Sequence, residues 1–155
     1  MSFRRIDIDA YDEDRVTEDE LYADIEAGSN PQEIEAAVQS RGTEVRNLLQ
    51  RGNERQALSL SLQDPPYGRN LDTAKSNNTQ TVMDVLQRFR AADIGDVVKA
   101  LSKDEQDVLM KYIYAGLAKP ELFNPAVLLG WHEKLVEVAG PGSIVRVMTD
   151  RRTVV

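Results

Sequence analysis

Twice in this chain, at Asn30-Pro31 and at Asn124-Pro125, an asparagine stands directly before a proline, and apolar residues follow at three- and four-residue spacing. An asparagine side chain can accept a hydrogen bond from a free amide at a helix start, and proline in the first helical position gives up no donor that the helix uses. Each pair therefore predicts a helix N-terminus. After the first come Glu33, which completes a capping box, and Ile34, Val38, Val45, Leu48 and Leu49, running to Gly52 with Gly42 as a candidate bend or break. After the second, Val127, Leu128, Trp131, Leu135 and Val138 form one stripe that ends at Gly140.

The stretch between these two starts is punctuated in the same way. Asn53 predicts a helix with Ala57, Leu58 and Leu62 on one face, and Asp64-Pro65-Pro66 must end it because two prolines remove successive backbone donors. Tyr67 to Asn70 reads as a loop. Val82, Val85, Leu86 and Phe89 occupy positions i, i+3, i+4 and i+7 and predict a helix ending near Ala91. Asp93 is placed to cap a short helix with Val97, Val98 and Leu101 inward. Ser102 with Glu105 makes a capping box for the helix holding Leu109, Tyr112, Ile113 and Leu117, which Lys119-Pro120 closes.

Pro141-Gly142-Ser143 opens a last segment whose Ile144, Val145, Val147 and Met148 are rich in β-branching. A lone strand would have nothing to pair with, so helix is the expectation. Together these signals predict an all-α fold: six or seven short helices in antiparallel hairpins, a single domain over residues 30–155. A chain of 155 residues is long enough to bury its own core.

Ahead of that body the charge changes character. Residues 1–30 carry ten acids against three bases, while the remaining sixteen acids and sixteen bases cancel, so the whole net charge of -7 sits in an N-terminal arm, residues 1–29. Such an asymmetry marks an interaction tail on a globular domain. It argues against nucleic acid as a partner, because phosphate contacts need a basic face. Within the arm, Ile6, Ile8 and Ala10 alternate with Asp7, Asp9 and Tyr11, which puts the apolar residues on one side of an extended segment. Thr17 with Glu20 forms another capping-box pattern, ahead of Leu21, Tyr22 and Ile25, and allows a short helix over 18–27.

The chain has no cysteine, so disulfides, thiolate nucleophiles and sulfur-ligated metals are excluded, and a reducing compartment, the cytoplasm, is expected. Apolar runs fall short of the roughly 18 residues needed to span a bilayer, so no membrane insertion is expected.

The patterns that carry chemistry fail one by one. His132, the lone histidine, lies in WHEKLVE, but the second histidine of an HExxH zinc helix would fall at Val136. Asp7, Asp9 and Glu18 match three positions of a calcium loop, yet Tyr11 stands where an oxygen ligand is required and Asp12 where glycine is required. Gly140 to Ser143 fits neither a phosphate loop nor a nucleophile elbow. Catalytic, cofactor and metal residues are therefore expected to be absent. Tyr112, Tyr114, Trp131, His132, Ile144 and Arg146 are read as core or partner-binding residues of the body, with His132 hydrogen-bonded beside Trp131. Adjacent Tyr112, Ile113 and Tyr114 cannot all face one direction, so some apolar surface must go elsewhere. Arg146, Arg151 and Arg152 read as a solvated or salt-bridging face.

The strings MKYIY, WHEK and GSIVRV, in that order, resemble the subunit 5 family of the actin-related protein 2/3 complex, the assembly that nucleates branched actin filaments. The run FRRIDIDAYDED is similar to that family's arm at Phe3, Arg4, Asp7, Asp9, Tyr11, Asp12 and Glu13, and Gly52-Asn53 and Pro65-Pro66 also fit. The resemblance implies a non-catalytic structural subunit of the actin cytoskeleton. Its helical body would dock on the β-propeller subunit 1 and subunit 4, and its arm would tether the actin-related protein 2 subunit. Actin filaments would be met through the complex, and nucleotide would sit on the actin-related partner subunits alone. On this reading the arm contact falls to Phe3, Arg4, Ile6, Asp7, Ile8, Asp9, Tyr11 and Asp12. About 28 extended residues cover on the order of 90 Å, enough to bridge subunits. An acidic-tailed chaperone for basic proteins such as histones is the competing class. A small hydrolase built on His132 lacks both ligand and nucleophile patterns.

Overall fold

A computed structural model describes residues 30–154, together with Thr17, Glu20, Tyr22 and Ala23. Among the described residues it contains seven helices and no strand: α1 (Pro31–Gln50), α2 (Glu54–Leu62), α3 (Asp72–Leu86), α4 (Ile94–Ala100), α5 (Lys103–Leu117), α6 (Pro125–Ala139) and α7 (Gly142–Thr149). The all-α expectation holds.

Local chemistry sets the helix starts. Asn30 Oδ1 accepts from the Gln32 amide at 3.1 Å and Asn124 Oδ1 from the Ala126 amide at 3.0 Å, each ahead of its proline. At α5 the Ser102 hydroxyl accepts from the Glu105 amide at 3.2 Å, and Glu105 accepts from the Ser102 amide at 2.8 Å. Glu105 also takes the Ser59 hydroxyl of α2, which ties two helices to one carboxylate. Asn53 and Asp93 stand at N-cap positions but make no side-chain capping bond. In the arm, Thr17 and Glu20 do exchange both capping bonds, at 2.8 and 3.3 Å, and Glu20, Tyr22 and Ala23 are helical. The rest of the expected 18–27 helix lies outside the described residues.

The first three helices pack on one another, with α2 returning between α1 and α3. In consequence α1 and α3 run side by side in the same direction. Ile34 packs on the Val38, Leu71 and Ala74 cluster at their beginnings, and a Cβ on Gly42 would stand 3.5 Å from Thr81 Oγ1 further along. Gly42 therefore does not break α1. It is buried against α3, where an added Cβ would make an ordinary van der Waals contact, and the roughly 1 kcal/mol that a helical glycine costs is too little to interrupt a helix packed on either side of it.

Phe89 falls outside the helix that its spacing predicts. The helical spacing carries it into α3, but α3 ends at Leu86, whose carbonyl accepts from the Trp131 indole N–H at 3.3 Å. A last-turn carbonyl has no partner within its own helix, and the indole supplies one. Phe89, in the turn that follows, meets the Trp131 ring edge-on, 5.4 Å between centroids at 83°.

α5 is the central element, packing against α2, α3, α6 and α7. Its Leu109, Met110, Tyr112 and Ile113 are fully buried with Trp131 and Leu135 of α6 and Leu58, Met83 and Leu86 from the first three helices. Burying each such side chain contributes roughly 1.5–3 kcal/mol relative to leaving it in water. Beyond α7 the chain folds back so that Val154 is buried in this same core. No helix among the described residues is long and apolar enough to cross a membrane.

Candidate functional site

The residues singled out in the last third of the sequence separate into an inside and an outside. Trp131 and Tyr112 are sealed in the core. The Tyr112 hydroxyl accepts a hydrogen bond from Asn78 Nδ2 on α3, a side chain that is itself buried. Burial drives the Tyr112 hydroxyl well above its usual pKa, and the Asn78 bond only partly opposes that. Such a phenol holds two helices together and is unsuited to proton transfer near neutrality.

Tyr114 and His132 are half-buried, two residues past Tyr112 on α5 and one past Trp131 on α6. The Tyr114 hydroxyl lies 3.2 Å from His132 Nε2, with the rings edge-on at 5.7 Å. His132 takes its hydrogen-bond partner from α5, on a different face of α6 from Trp131, because neighbouring residues on a helix point about 100° apart. Among the described residues Tyr114 is the only side chain that His132 hydrogen-bonds.

α7 divides along its length. Ile144 and Val147 lean on the core, Ser143 is buried with its hydroxyl donating to the Gly140 carbonyl at 2.7 Å, and Arg146 faces out. Arg146 forms a fork with Asp107 of α5, Nε to Oδ2 at 2.7 Å and the second guanidinium nitrogen to Oδ1 at 2.8 Å. Arg152 reaches Asp150 at 3.4 Å. The basic C-terminal face is thus salt-bridging at Arg146 and Arg152, while Arg151 is exposed.

Where the surplus apolar surface goes differs from expectation. Tyr112 and Ile113 are both buried and Tyr114 is half-buried, so little of it lies there. Instead Leu122 (66% exposed), Leu129 (56%), Val145 (61%) and Met148 (64%) stand in solvent. The signal for α7 is present in the pairs Ile144-Val145 and Val147-Met148: α5, packed on several sides, buries both members of such a pair, but a short helix packed along one side leaves one of them outside. Such residues suit contact with another protein better than chemistry. Among the described residues no group of three metal-ligating side chains is assembled. The arm residues Phe3, Arg4, Ile6, Asp7, Ile8, Asp9, Tyr11 and Asp12 lie outside the described residues.

Residues 2–154 match the family described as ARP2/3 complex 16 kDa subunit (p16-Arc). The chain is similar to actin-related protein 2/3 complex subunit 5-C of Xenopus laevis, 40% identical across 98% of this chain and 94% of that protein. It is 39% identical to actin-related protein 2/3 complex subunit 5 of Saccharomyces cerevisiae, across 98% of this chain and 97% of the yeast protein. Against the human subunit 5-like protein the identity is 36% over 98% and 94% of the two chains. With this coverage of both arm and body, the chain belongs to the family of the 16 kDa subunit of the ARP2/3 complex.

Proposed function

We propose that this chain is a non-catalytic structural subunit of an actin-related protein 2/3 complex and supports the nucleation of branched actin filaments. The observation that carries the reading is the family match spanning residues 2–154, which makes a strongly acidic arm and a neutral helical body one family unit. Two parts so different in charge suit two tasks. The body docks on subunit 1 and subunit 4, with the exposed Leu129, Val145 and Met148 as apolar anchors. The arm tethers the actin-related protein 2 subunit, and the docked body raises its effective concentration so that weak contacts suffice. The chain takes no cofactor itself; nucleotide belongs to the actin-related subunits. It works in the cytoplasm, on the actin cytoskeleton.

The test is purification of the tagged full-length chain and of a form lacking residues 1–28, each from cells at moderate salt. Both are expected to bring subunits 1 and 4, and the shortened form to lose actin-related protein 2 and branch nucleation. Normal retention and nucleation without the arm would remove the tether. Recovery of basic proteins in place of complex subunits would overturn the whole reading in favour of an acidic-tailed chaperone.

A further inference from the structure

A groove of about 730 Å³ runs between the second halves of α1 and α3, with Val45, Leu49 and Thr81 at its floor. Arg46 on one wall and Arg88 on the other line it, and among the described residues neither has a carboxylate partner. Its one acid, Asp84, is held by Gln80 Nε2 at 2.8 Å. An apolar floor between two uncommitted guanidinium groups suits an extended segment that alternates aliphatic and acidic side chains. This chain carries such a segment in Ile6-Asp7-Ile8-Asp9, followed by Asp12 and Glu13.

The arm also begins in the right place. The Arg69 guanidinium lies over the Tyr22 ring, 4.9 Å from its centroid, and Arg69 stands three residues before α3, at the end of the body where α1 and α3 both start. From Asp72 to Asp84 the helix climbs about 18 Å. One turn between Thr17 and Tyr22, closed by the Thr17–Glu20 capping bonds, covers about 8 Å, and the four steps from Thr17 back to Glu13 add about 13 Å when extended. The acidic stretch can therefore arrive at Arg46 and Arg88 without displacing Tyr22.

We propose that in the unassembled chain residues 6–13 lie in the α1–α3 groove, with carboxylates on Arg46 and Arg88 and the isoleucines over Val45 and Leu49. Because the segment is tethered, weak contacts hold it. The groove then parks the arm, and an assembling partner must compete for it.

The chain has no cysteine, so Ser2→Cys supplies a unique attachment point for a nitroxide on the full-length protein. Amide signals of residues 46–50 and 84–88 are expected to broaden selectively. That broadening should be lost in Arg46→Glu/Arg88→Glu, in Asp7→Lys/Asp9→Lys/Asp12→Lys, and at 1 M salt, where the screening length falls to about 3 Å. The arm substitutions leave every body residue intact, so a folding defect in the groove variant cannot obscure the result. Broadening that is absent, spread evenly over the body, or kept in the arm variant overturns the proposal. So does equal broadening in a mixture of spin-labelled chain and isotope-labelled, unmodified chain, which would mean docking on a second copy. All readouts use the free chain, so failure here leaves the tether reading untouched.

Discussion

Lys111 of α5 and Asp150, one residue past α7, are 39 positions apart in sequence and 2.7 Å apart in space. The Lys111 ammonium also donates to the Arg152 carbonyl at 3.0 Å and the Tyr67 hydroxyl at 3.2 Å, which pins the C-terminal tail so that Val154 reaches the core. Burial pushes the Asp150 carboxyl upward, but the hydrogen bonds from Lys111 and from the Arg152 amide and guanidinium outweigh it, leaving the pKa at about 2.

A folded-state pKa below the ordinary carboxylate value stabilises the fold at pH values above the unfolded pKa, and that contribution is lost as pH falls through the folded one. The window for Asp150 is about pH 4 to pH 2. Asp150→Asn is expected to lower stability at pH 7 by about 1–2 kcal/mol: charged hydrogen bonds contribute about 1.5–3 kcal/mol, and a side chain still 24% exposed calls for a discount. Urea unfolding followed by circular dichroism at pH 7 and near pH 2 checks this. The gap between wild type and variant should close at the lower pH, and a gap that stayed constant would contradict the assignment.

Tyr112 and Asn78 make a second prediction. Tyr112→Phe keeps the ring in place but leaves buried Asn78 with only a long bond, 3.5 Å, to the Ser61 carbonyl. The expected loss is about 1–3 kcal/mol, the cost of a buried polar group left without its main partner. Asn78→Leu in the same background should recover part of it, giving a coupling energy in a double-mutant cycle. Absorbance titration gives an independent check: of the five tyrosines, one should resist ionisation until the protein unfolds in alkali.

These pairs show where the sequence is legible and where it is not. Helix starts were readable because a cap acts over three residues: Asn30-Pro31, Ser102 with Glu105, and Asn124-Pro125 each mark a start the structure contains. The end of α3 was not, because it is set from 45 residues away by the Trp131 indole on the Leu86 carbonyl. Gly42 reads as a break by propensity alone, but the packing of Val38 and Val45 on either side keeps α1 continuous through it. At the site, a helical stripe identified Trp131 and Tyr112 as inward, but the Tyr114–His132 contact joins α5 to α6, and no periodicity within either helix encodes it.

Two helical glycines test the packing directly, with opposite signs. A Cβ on Gly116 would lie 2.7 Å from Met83 Cε and 2.8 Å from Leu128 Cδ1, both buried where α3, α5 and α6 meet. Gly116→Ala is expected to destabilise by about 1–2 kcal/mol, since overpacking typically costs 1–3 and the gain in helix propensity offsets up to about 1. At Gly130 in α6 nothing lies within 4 Å of the added atom. Gly130→Ala should therefore stabilise by up to about 1 kcal/mol. Thermal melts of both variants decide it, and a stabilised Gly116→Ala would mean that the three-helix junction is looser than its geometry.

The exposed apolar face of α7 separates stability from assembly. Val145 and Met148 stand one helical turn apart, both in solvent, while Ile144 and Val147 hold the helix to the core and the Arg146–Asp107 fork holds it to α5. Replacing exposed side chains away from any packed contact changes stability by no more than about 0.5 kcal/mol. A charge introduced into the centre of a desolvated protein contact costs several times more, because burying it unpaired is unfavourable. Val145→Asp/Met148→Lys is therefore expected to melt close to wild type yet to recover much less of subunits 1 and 4 when the tagged chain is purified from cells. Full recovery with an unchanged melt would remove this face from the docking surface and leave Leu122 and Leu129 as the apolar side chains to test next.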